Sequence, residues 1–316
     1  MRAAVLQKYG PPTQLKIRSV ERLQPGPTQV LIKIHASSIN PIDWKIRSGL
    51  FFLRFIFGFI RPRKAVLGID FAGEIVRIGS AVTQFRIGEQ VFGAAIAGAY
   101  AEYICVEQTN LSHKPQSMSF HESAGVPLAG LTALQALRDK GAIQAGHNVL
   151  IYGASGGVGT FAVQLASSLG ATVTGVCSQA NIPLVESLGA NVVIDRMAMH
   201  HQLLKNQYDI IFDAAGHASY ATFRKNLTRQ GIYIASTPHI RDLLPLMLTL
   251  VGKKKAKTLI TRLVGHDLDI IKEYIDKGTV RTVIDSIYPL DEIVAAHQYS
   301  EKGHSKGKVI LQIAKE

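Results

Sequence analysis

Cysteine is nearly absent from this chain: Cys105 and Cys177 are the only two among 316 residues. Two thiols build neither a disulfide framework nor a structural zinc site, and a chain of this length buries enough core to need no staples. No run reaches the roughly 20 apolar residues of a membrane span. The N-terminal MRAAVLQKYGPP lacks the apolar core of a signal peptide. The expectation is a reducing, cytoplasmic compartment. Acidic residues are also scarce, 23 against 35 lysines and arginines, which gives a net charge of +12. That balance attracts anions of every kind. Without helix-turn-helix spacing, zinc-finger spacing or an aromatic RNA-binding signature, it does not make nucleic acid an expected partner.

What is present changes texture along the chain. The first 110 or so residues read as short strands between turns, with QVLIKIHASSI and FAGEIVRIGSAV alternating apolar and polar positions. From about Glu122, helix and strand alternate. SAGVPLAGLTALQALRDKG is helical in period and precedes the strand HNVLIYGAS. Helix 158–169, strand TVTGVCS, helix 181–188, strand NVVID, strand YDIIFDAAG, a further helix and strand GIYIAST follow. Such alternation predicts a parallel sheet covered on both faces by helices. After Val264 come the helix DLDIIKEYIDKG, a strand around TVIDSIYPL, another helix and a last strand, GKVILQI.

The glycines of IYGASGGVGTFAVQLASSLGA, residues 151–171, do not spell G-x-G-x-x-G; the phase that fits is Ala154-x-Gly156-x-x-Gly159. Gly156 lets the backbone approach a pyrophosphate, and Gly159 lets the helix pack closely on the strand. The setting between a strand and a helix favours a dinucleotide over a ligand-free tight turn. Sites for NAD place a carboxylate at the end of the second strand, but GVCSQANI has none from Gly175 to Ile182. Ser178 and Asn181 there tolerate a 2′-phosphate, so NADPH is the expected cofactor.

These residues, with SSINPIDWKIRSG, LGIDFAGEIVRIGSAVTQFRIGEQVFG, GASGGVGTFAVQLA and GKVILQI, resemble the zinc-independent quinone oxidoreductase branch of the medium-chain dehydrogenase/reductase superfamily, over nearly the whole chain. The resemblance implies an α/β protein: a GroES-like, β-rich catalytic domain from residues 1–122 and 267–316, and an inserted Rossmann doubly wound parallel-sheet domain, 123–266, with the active site in the cleft. It implies NADPH, a homodimer, and reduction of a quinone or an α,β-unsaturated carbonyl. Two rivals are a metal-free alcohol or aldehyde dehydrogenase and a non-catalytic nucleotide-binding partner protein.

Zinc-dependent relatives have Cys where this chain has Ser38 or Asn40 and a His-Glu pair where it has Ile69-Asp70, so no metal is expected. The resemblance assigns Asn40, Thr132, Ala154, Ser155, Gly156, Gly157, Val158, Ser178, Asn181, Ala215, Ser236 and Lys308 to the cofactor. A basic residue common in the Ser178–Asn181 turn is missing, and Arg196, after Asp195, is the candidate to replace it. Asn40 and Lys45 are the catalytic candidates. Lys45 stands where the family often has Tyr, and either stabilises an enolate or is a solvated loop lysine. Asp43 reads as a hydrogen-bond acceptor within the fold.

Trp44, Phe55 and Phe57 are candidates for the substrate. The two phenylalanines belong to LFFLRFIFGFIRPRK, residues 50–64, which is either core or a greasy lid. LLPLMLTLVGKKKAK, residues 243–257, reads as a sheet-covering helix with a basic end or as an amphipathic element touching anionic lipid. His200-His201 reads as surface.

Overall fold

The structure, a computed structural model, describes residues 1–63, 65–203, 205, 207–237, 249 and 253–314, and of Phe52, Ile56, His200 and His201 only the backbone. The chain divides into two compact units. Unit 1 holds Met1–Leu128, Leu263–Asp276 and Thr282–Glu316; unit 2 holds Ala129–Arg262 and Lys277–Arg281.

Unit 1 begins with a two-stranded antiparallel ribbon, β1 (Arg2–Leu6) and β2 (Leu15–Ser19). Then follow β3 (Gln29–Ile39), α1 (Pro41–Ser48) and α2 (Phe51–Phe57). The strands β4 (Asp70–Ile78), β5 (Gln90–Ala94), β6 (Tyr103–Glu107) and β7 (Leu111–His113) complete this stretch. The apolar alternation of QVLIKIHASSI makes β3 the central strand; it pairs antiparallel with β4 and β6. Two short helices, α3 (Phe120–Ala124) and α4 (Pro127–Gln135), carry the chain out.

Unit 2 is a six-stranded, all-parallel sheet of β8 (Asn148–Tyr152), β9 (Thr172–Cys177), β10 (Val192–Asp195), β11 (Tyr208–Asp213), β12 (Leu227–Ala235) and β13 (Lys255–Thr258). The spatial order is β10-β9-β8-β11-β12-β13, the doubly wound order in which the sequence reverses direction beside β8. Helices α5 (Gly157–Ser168), α6 (Ile182–Ser187), α7 (Met199–Gln202) and α8 (Tyr220–Phe223) are its described crossovers. Buried Leu150, Val176, Ile211, Phe223 and Tyr233 form one of its apolar clusters.

The chain returns to unit 1 with α9 (Gly265–Asp276), β14 (Ile284–Pro289), α10 (Ile293–Glu301) and β15 (Lys308–Gln312). β15 pairs antiparallel with β3, which closes the order β14-β15-β3-β4-β5-β7. Val30, Ile32, Phe71, Ile75, Tyr100, Val309 and Leu311 lie in its core.

Residues 50–64, read as either core or a lid, are helical from Phe51 to Phe57. Leu53 and Phe57 pack on the unit 1 core, while Phe51 and Phe55 are 59% and 62% exposed. Core therefore holds for Phe57 and fails for Phe55. Of the stretch 243–257, residues 243–248 and 250–252 lie outside the described residues, as do the side chains of His200 and His201. Among the described residues no helix is long and apolar enough to cross a membrane.

Candidate active site

In unit 2 the glycine turn joins β8 to α5, and each glycine has its own reason. Gly153 adopts φ +79°, the left-handed region where side chains are strained. At Gly159 a Cβ would stand 2.0 Å from the Gly153 carbonyl oxygen, so only glycine lets α5 approach β8. Gly156 is different. The nearest heavy atom to a Cβ there is 3.5 Å away, so nothing in the fold demands glycine. A residue spared a side chain without internal need fits close approach by a ligand backbone or phosphate. The first-turn N–H groups of Gly157 and Val158 have no carbonyl one turn earlier within α5, and they give the turn its anion affinity.

Ala154 belongs to the turn rather than to a ligand: it is fully buried and its N–H donates to the Val176 carbonyl at 3.0 Å. Asn181, 8% exposed, donates from Nδ2 to Ser155 Oγ at 3.0 Å, and its buried Oδ1 has no partner. An unsatisfied amide oxygen beside the glycine turn fits a donor from a bound group. Ser178 is exposed at the end of β9. Next to it, Arg196 donates its N–H to the Cys177 carbonyl at 2.7 Å. Its exposed guanidinium lies near Tyr152, at the end of β8, where its charge opposes the larger upward push of burial on the phenol pKa. The positive charge thus stands at the carboxyl edge of β8 and β9.

The register also brings a carboxylate there. Asp195 pairs with Cys177, and its charge adds to burial in pushing that thiol up to about 11. Sequence order alone hides Asp195, which lies 18 residues from its strand partner. Further along the sheet, Asp213 is fully buried and accepts from the N–H groups of Gly216 and Ala218 at 2.8 Å each, fixing the loop that holds Ala215. Burial raises its pKa. Ser236 follows β12 and donates its N–H to the Asp213 carbonyl. Thr132 is 6% exposed, its hydroxyl 2.8 Å from that of Thr261.

In unit 1 the antiparallel register gathers a second constellation. Ser38 pairs with Asp70 on one side, and Ile39 with Val309 on the other, which sets Asn40 across from Lys308. All four side chains are at most 3% exposed. Asp70 Oδ2 accepts from Ser38 Oγ at 2.6 Å, from Asn40 Nδ2 at 2.9 Å and from Lys308 Nζ at 3.3 Å; its Oδ1 accepts from the Leu128 N–H at 2.8 Å. Lys308 Nζ also donates to Asn40 Oδ1 at 2.6 Å. The Asn40 amide is therefore engaged at both ends. Asp70, named beforehand only as a replacement for a metal ligand, is the hub. Nothing in the strand DFAGEIVRI, which also carries Glu74 and Arg77, singles Asp70 out before the sheet forms.

Asn40 also starts α1. Its N–H donates to Asp43 Oδ2 at 2.8 Å, closing the first turn from the side-chain side. Asp43 is buried and accepts a second bond from the Tyr100 hydroxyl at 2.9 Å. Burial nevertheless pushes its carboxyl up to about 7. One and two residues along the helix are Trp44, whose buried Nε1 has no acceptor, and Lys45, whose ammonium lies 5.6 Å from the Trp44 ring centroid. Partial burial lowers the Lys45 pKa. No carboxylate pairs with Lys45 among the described residues.

Comparison with known proteins identifies the family. Residues 26–116 match the alcohol dehydrogenase GroES-like domain, and residues 188–311 match a family described as zinc-binding dehydrogenase. Among the described residues no three His, Cys, Asp or Glu side chains are grouped to hold a metal ion. The chain is 36% identical to the chloroplastic quinone-oxidoreductase QR1 of Triphysaria versicolor, over 99% of this chain and 98% of that one. It is 33% identical to the chloroplastic NADPH-dependent alkenal/one oxidoreductase of Arabidopsis thaliana, over 98% and 79%. The solved quinone oxidoreductase of Coxiella burnetii superposes with a TM-score of 0.89 at 30% identity, covering 99% of each chain. The chain belongs to the quinone oxidoreductase branch of the medium-chain dehydrogenase/reductase superfamily, nicotinamide-dependent oxidoreductases built from a GroES-like and a Rossmann-like domain.

Proposed function

We propose that this protein is an NADPH-dependent reductase that delivers hydride to a quinone or to an α,β-unsaturated carbonyl without a metal ion. The observation that carries the metal-free reading is the ammonium of Lys308. It stands among Ser38, Asn40 and Asp70, and the resemblance places a zinc ligand of the zinc-dependent relatives at Ser38 or Asn40 and another at Asp70; the ammonium supplies there the positive charge a metal would supply. An amine held by one carboxylate and one amide leaves no ligand set for zinc.

When bound, the reduced nicotinamide supplies the hydride. The chain's own residues hold anions and protons. The N–H groups of Gly157 and Val158 receive the pyrophosphate. Ser178 and Arg196 receive the 2′-phosphate, for which the absence of a carboxylate from Gly175 to Ile182 leaves room. Asp195 supports a second reading of the cofactor, NADH, because it adds a carboxylate beside Cys177. Titrating both cofactors separates the two, with NADPH expected to bind more tightly.

Hydride addition to a conjugated carbonyl leaves negative charge on oxygen, and a fixed cation there stabilises it and returns a proton. Lys45 is our candidate, since partial burial lowers its pKa and eases proton donation. Lys45→Met is expected to lower kcat for an enal about tenfold or more while changing quinone turnover little, because a hydroquinone anion is less basic than an enolate. The protonated lysine is the active form. Wild-type enal turnover should therefore fall as pH rises through its lowered pKa, and that limb should vanish in the variant.

The deciding experiment follows NADPH oxidation with a quinone, an enal and a saturated aldehyde, before and after exhaustive chelation. Turnover of the first two, unchanged by chelation, is expected. Activity confined to the aldehyde, or abolished by chelation and restored by zinc, rejects the proposal.

A further inference from the structure

The segment Leu50–Arg63 is an apolar surface that the fold builds deliberately and leaves uncovered. Among the described side chains, helix α2 is anchored through one side. Leu53 and Phe57 pack on the unit 1 core, Arg54 Nε donates to the Gly49 carbonyl at 2.7 Å, and Tyr9 donates its hydroxyl to the Gly58 carbonyl at 2.6 Å. The opposite side carries Phe51, Phe55 and Phe59 at intervals of four, 59%, 62% and 57% exposed. Their rings meet edge to face, with centroids 5.3 to 6.4 Å apart, so they form one aromatic cluster. Ile60 extends it at 88% exposure.

The turn that holds Phe59 and Ile60 beside the helix admits only glycine. Gly58 has φ +118°, and a Cβ there would come within 2.2 Å of the Arg61 carbonyl oxygen. The Arg63 N–H closes the same turn on the Phe57 carbonyl at 2.6 Å. A cluster of exposed rings on a fixed turn marks an interaction surface.

Charge decides the occupant. From Trp44 to Ile69 there is no Asp or Glu, against six cations, of which Arg47 is buried and paired with Glu301 and the others are Lys45, Arg54, Arg61, Arg63 and Lys64. Arg61 and Arg63 are exposed immediately after the aromatic cluster. A second copy of the same face would bring like charges together, whereas an anionic bilayer offers both an apolar interior for the rings and phosphate charge for the arginines. A short apolar segment alone binds a bilayer marginally and needs such a second signal. We propose that Leu50–Arg63 is an interfacial wedge that docks the protein on anionic phospholipid bilayers, with Phe51, Phe55, Phe59 and Ile60 inserted at headgroup depth and Arg61 and Arg63 on the lipid phosphates. The inference stands independently of the cofactor and acceptor.

Sedimentation with vesicles tests it on the full chain. Binding to phosphatidylcholine vesicles containing phosphatidylserine, weakened by salt and absent with phosphatidylcholine alone, is the expected result. F51S/F59S should abolish sedimentation, and R61E/R63E should weaken it by about fivefold or more per arginine. Both variants should keep the wild-type melting temperature and the wild-type KM for a water-soluble quinone without vesicles. No sedimentation of the wild type at low salt overturns the proposal. So does a monomer–dimer shift in F51S/F59S, which assigns the face to a second copy, or a raised KM without vesicles, which assigns it to a substrate lid.

Discussion

At the glycine turn of unit 2, residues 153–159, the free backbone N–H groups are those of Gly157 and Val158, and the missing side chains of Gly153, Gly156 and Gly159 make the turn. At the lysine cluster of unit 1, side chains 30, 238 and 268 residues apart meet within hydrogen-bond distance. The first constellation is a local conformation and the second is a product of strand register. They therefore fail differently. A backbone site loses affinity when a side chain intrudes, with little cost to the fold. A buried ionic site loses the fold when one partner is removed, because the remaining charge has been taken out of water.

The largest effect should come from breaking the cluster at its hub. Asp70→Ala removes the carboxylate on the Lys308 ammonium and orphans the donors Ser38 and Asn40, at a cost of about 3 to 5 kcal/mol in denaturant unfolding. Adding Lys308→Met should recover part of that loss, since the pair is then replaced by apolar groups. Additive losses in the double variant would mean that the two residues are not coupled.

A smaller effect concerns two buried groups whose titrations oppose each other. Burial, with the Arg47 charge behind it, pushes fully buried His297 down to about 3 from an ordinary 6.5, and burial pushes Asp43 up to about 7 from 3.8. Below 6.5 the unfolded state binds the histidine proton that the folded state refuses, so stability falls as pH drops toward 3. The aspartate runs the other way: the folded state holds its proton more tightly, so stability falls as pH rises from 3.8 to 7. Between pH of about 4 and 6.5 the two slopes cancel. His297→Leu should unmask the aspartate, and stability should then decline with rising pH by up to about 1.4 kcal/mol per unit. A variant as flat as the wild type would remove Asp43 from the account.

These contrasts also explain what could be read from the residues alone. The glycine turn, the order of helices and strands around it and the bare end of β9 were legible, because local conformation is written in local residue types. The hub at Asp70 was not, because antiparallel register across 238 residues is a property of the folded sheets. Asp195 was missed for the same reason; β10 must lie against β9 before its last residue meets Cys177. For LFFLRFIFGFIRPRK the apolar pattern admitted core or a lid, and core holds for some of its residues only. A helix turning between them sends Leu53 and Phe57 inward and Phe51 and Phe55 outward.

Within the glycine turn a third test separates fold from ligand. Gly159→Ala places a Cβ 2.0 Å from the Gly153 carbonyl oxygen and should destabilise unit 2 by roughly 1 to 3 kcal/mol. Gly156→Ala meets nothing closer than 3.5 Å. Its melting temperature should stay within a few degrees of wild type, a cost of about 1 kcal/mol at a helix N-cap, while NADPH affinity falls about tenfold. Equal destabilisation by both would mean that Gly156 also serves the fold.

The smallest expected effect belongs to Arg196, and it asks whether a side chain has been recruited to a site otherwise made of backbone. Its N–H is held by the Cys177 carbonyl, so the residue cannot drift from the end of β9. Its guanidinium is exposed, where solvent and salt screen a charge contact to a modest worth. A 2′-phosphate carries nearly two negative charges, and a single exposed arginine on it should contribute about fivefold to tenfold in affinity. Arg196→Ala should therefore weaken NADPH by that factor, leave NADH within about twofold, and lose its effect at high salt. Arg196→Lys should restore part of the NADPH affinity, because a point charge still meets the phosphate without the two-pronged geometry. If both cofactors weaken equally, Arg196 holds the adenosine end by packing alone. If neither changes, the 2′-phosphate rests on Ser178 and the neighbouring backbone, and unit 2 recognises its ligand wholly by what its turn leaves out.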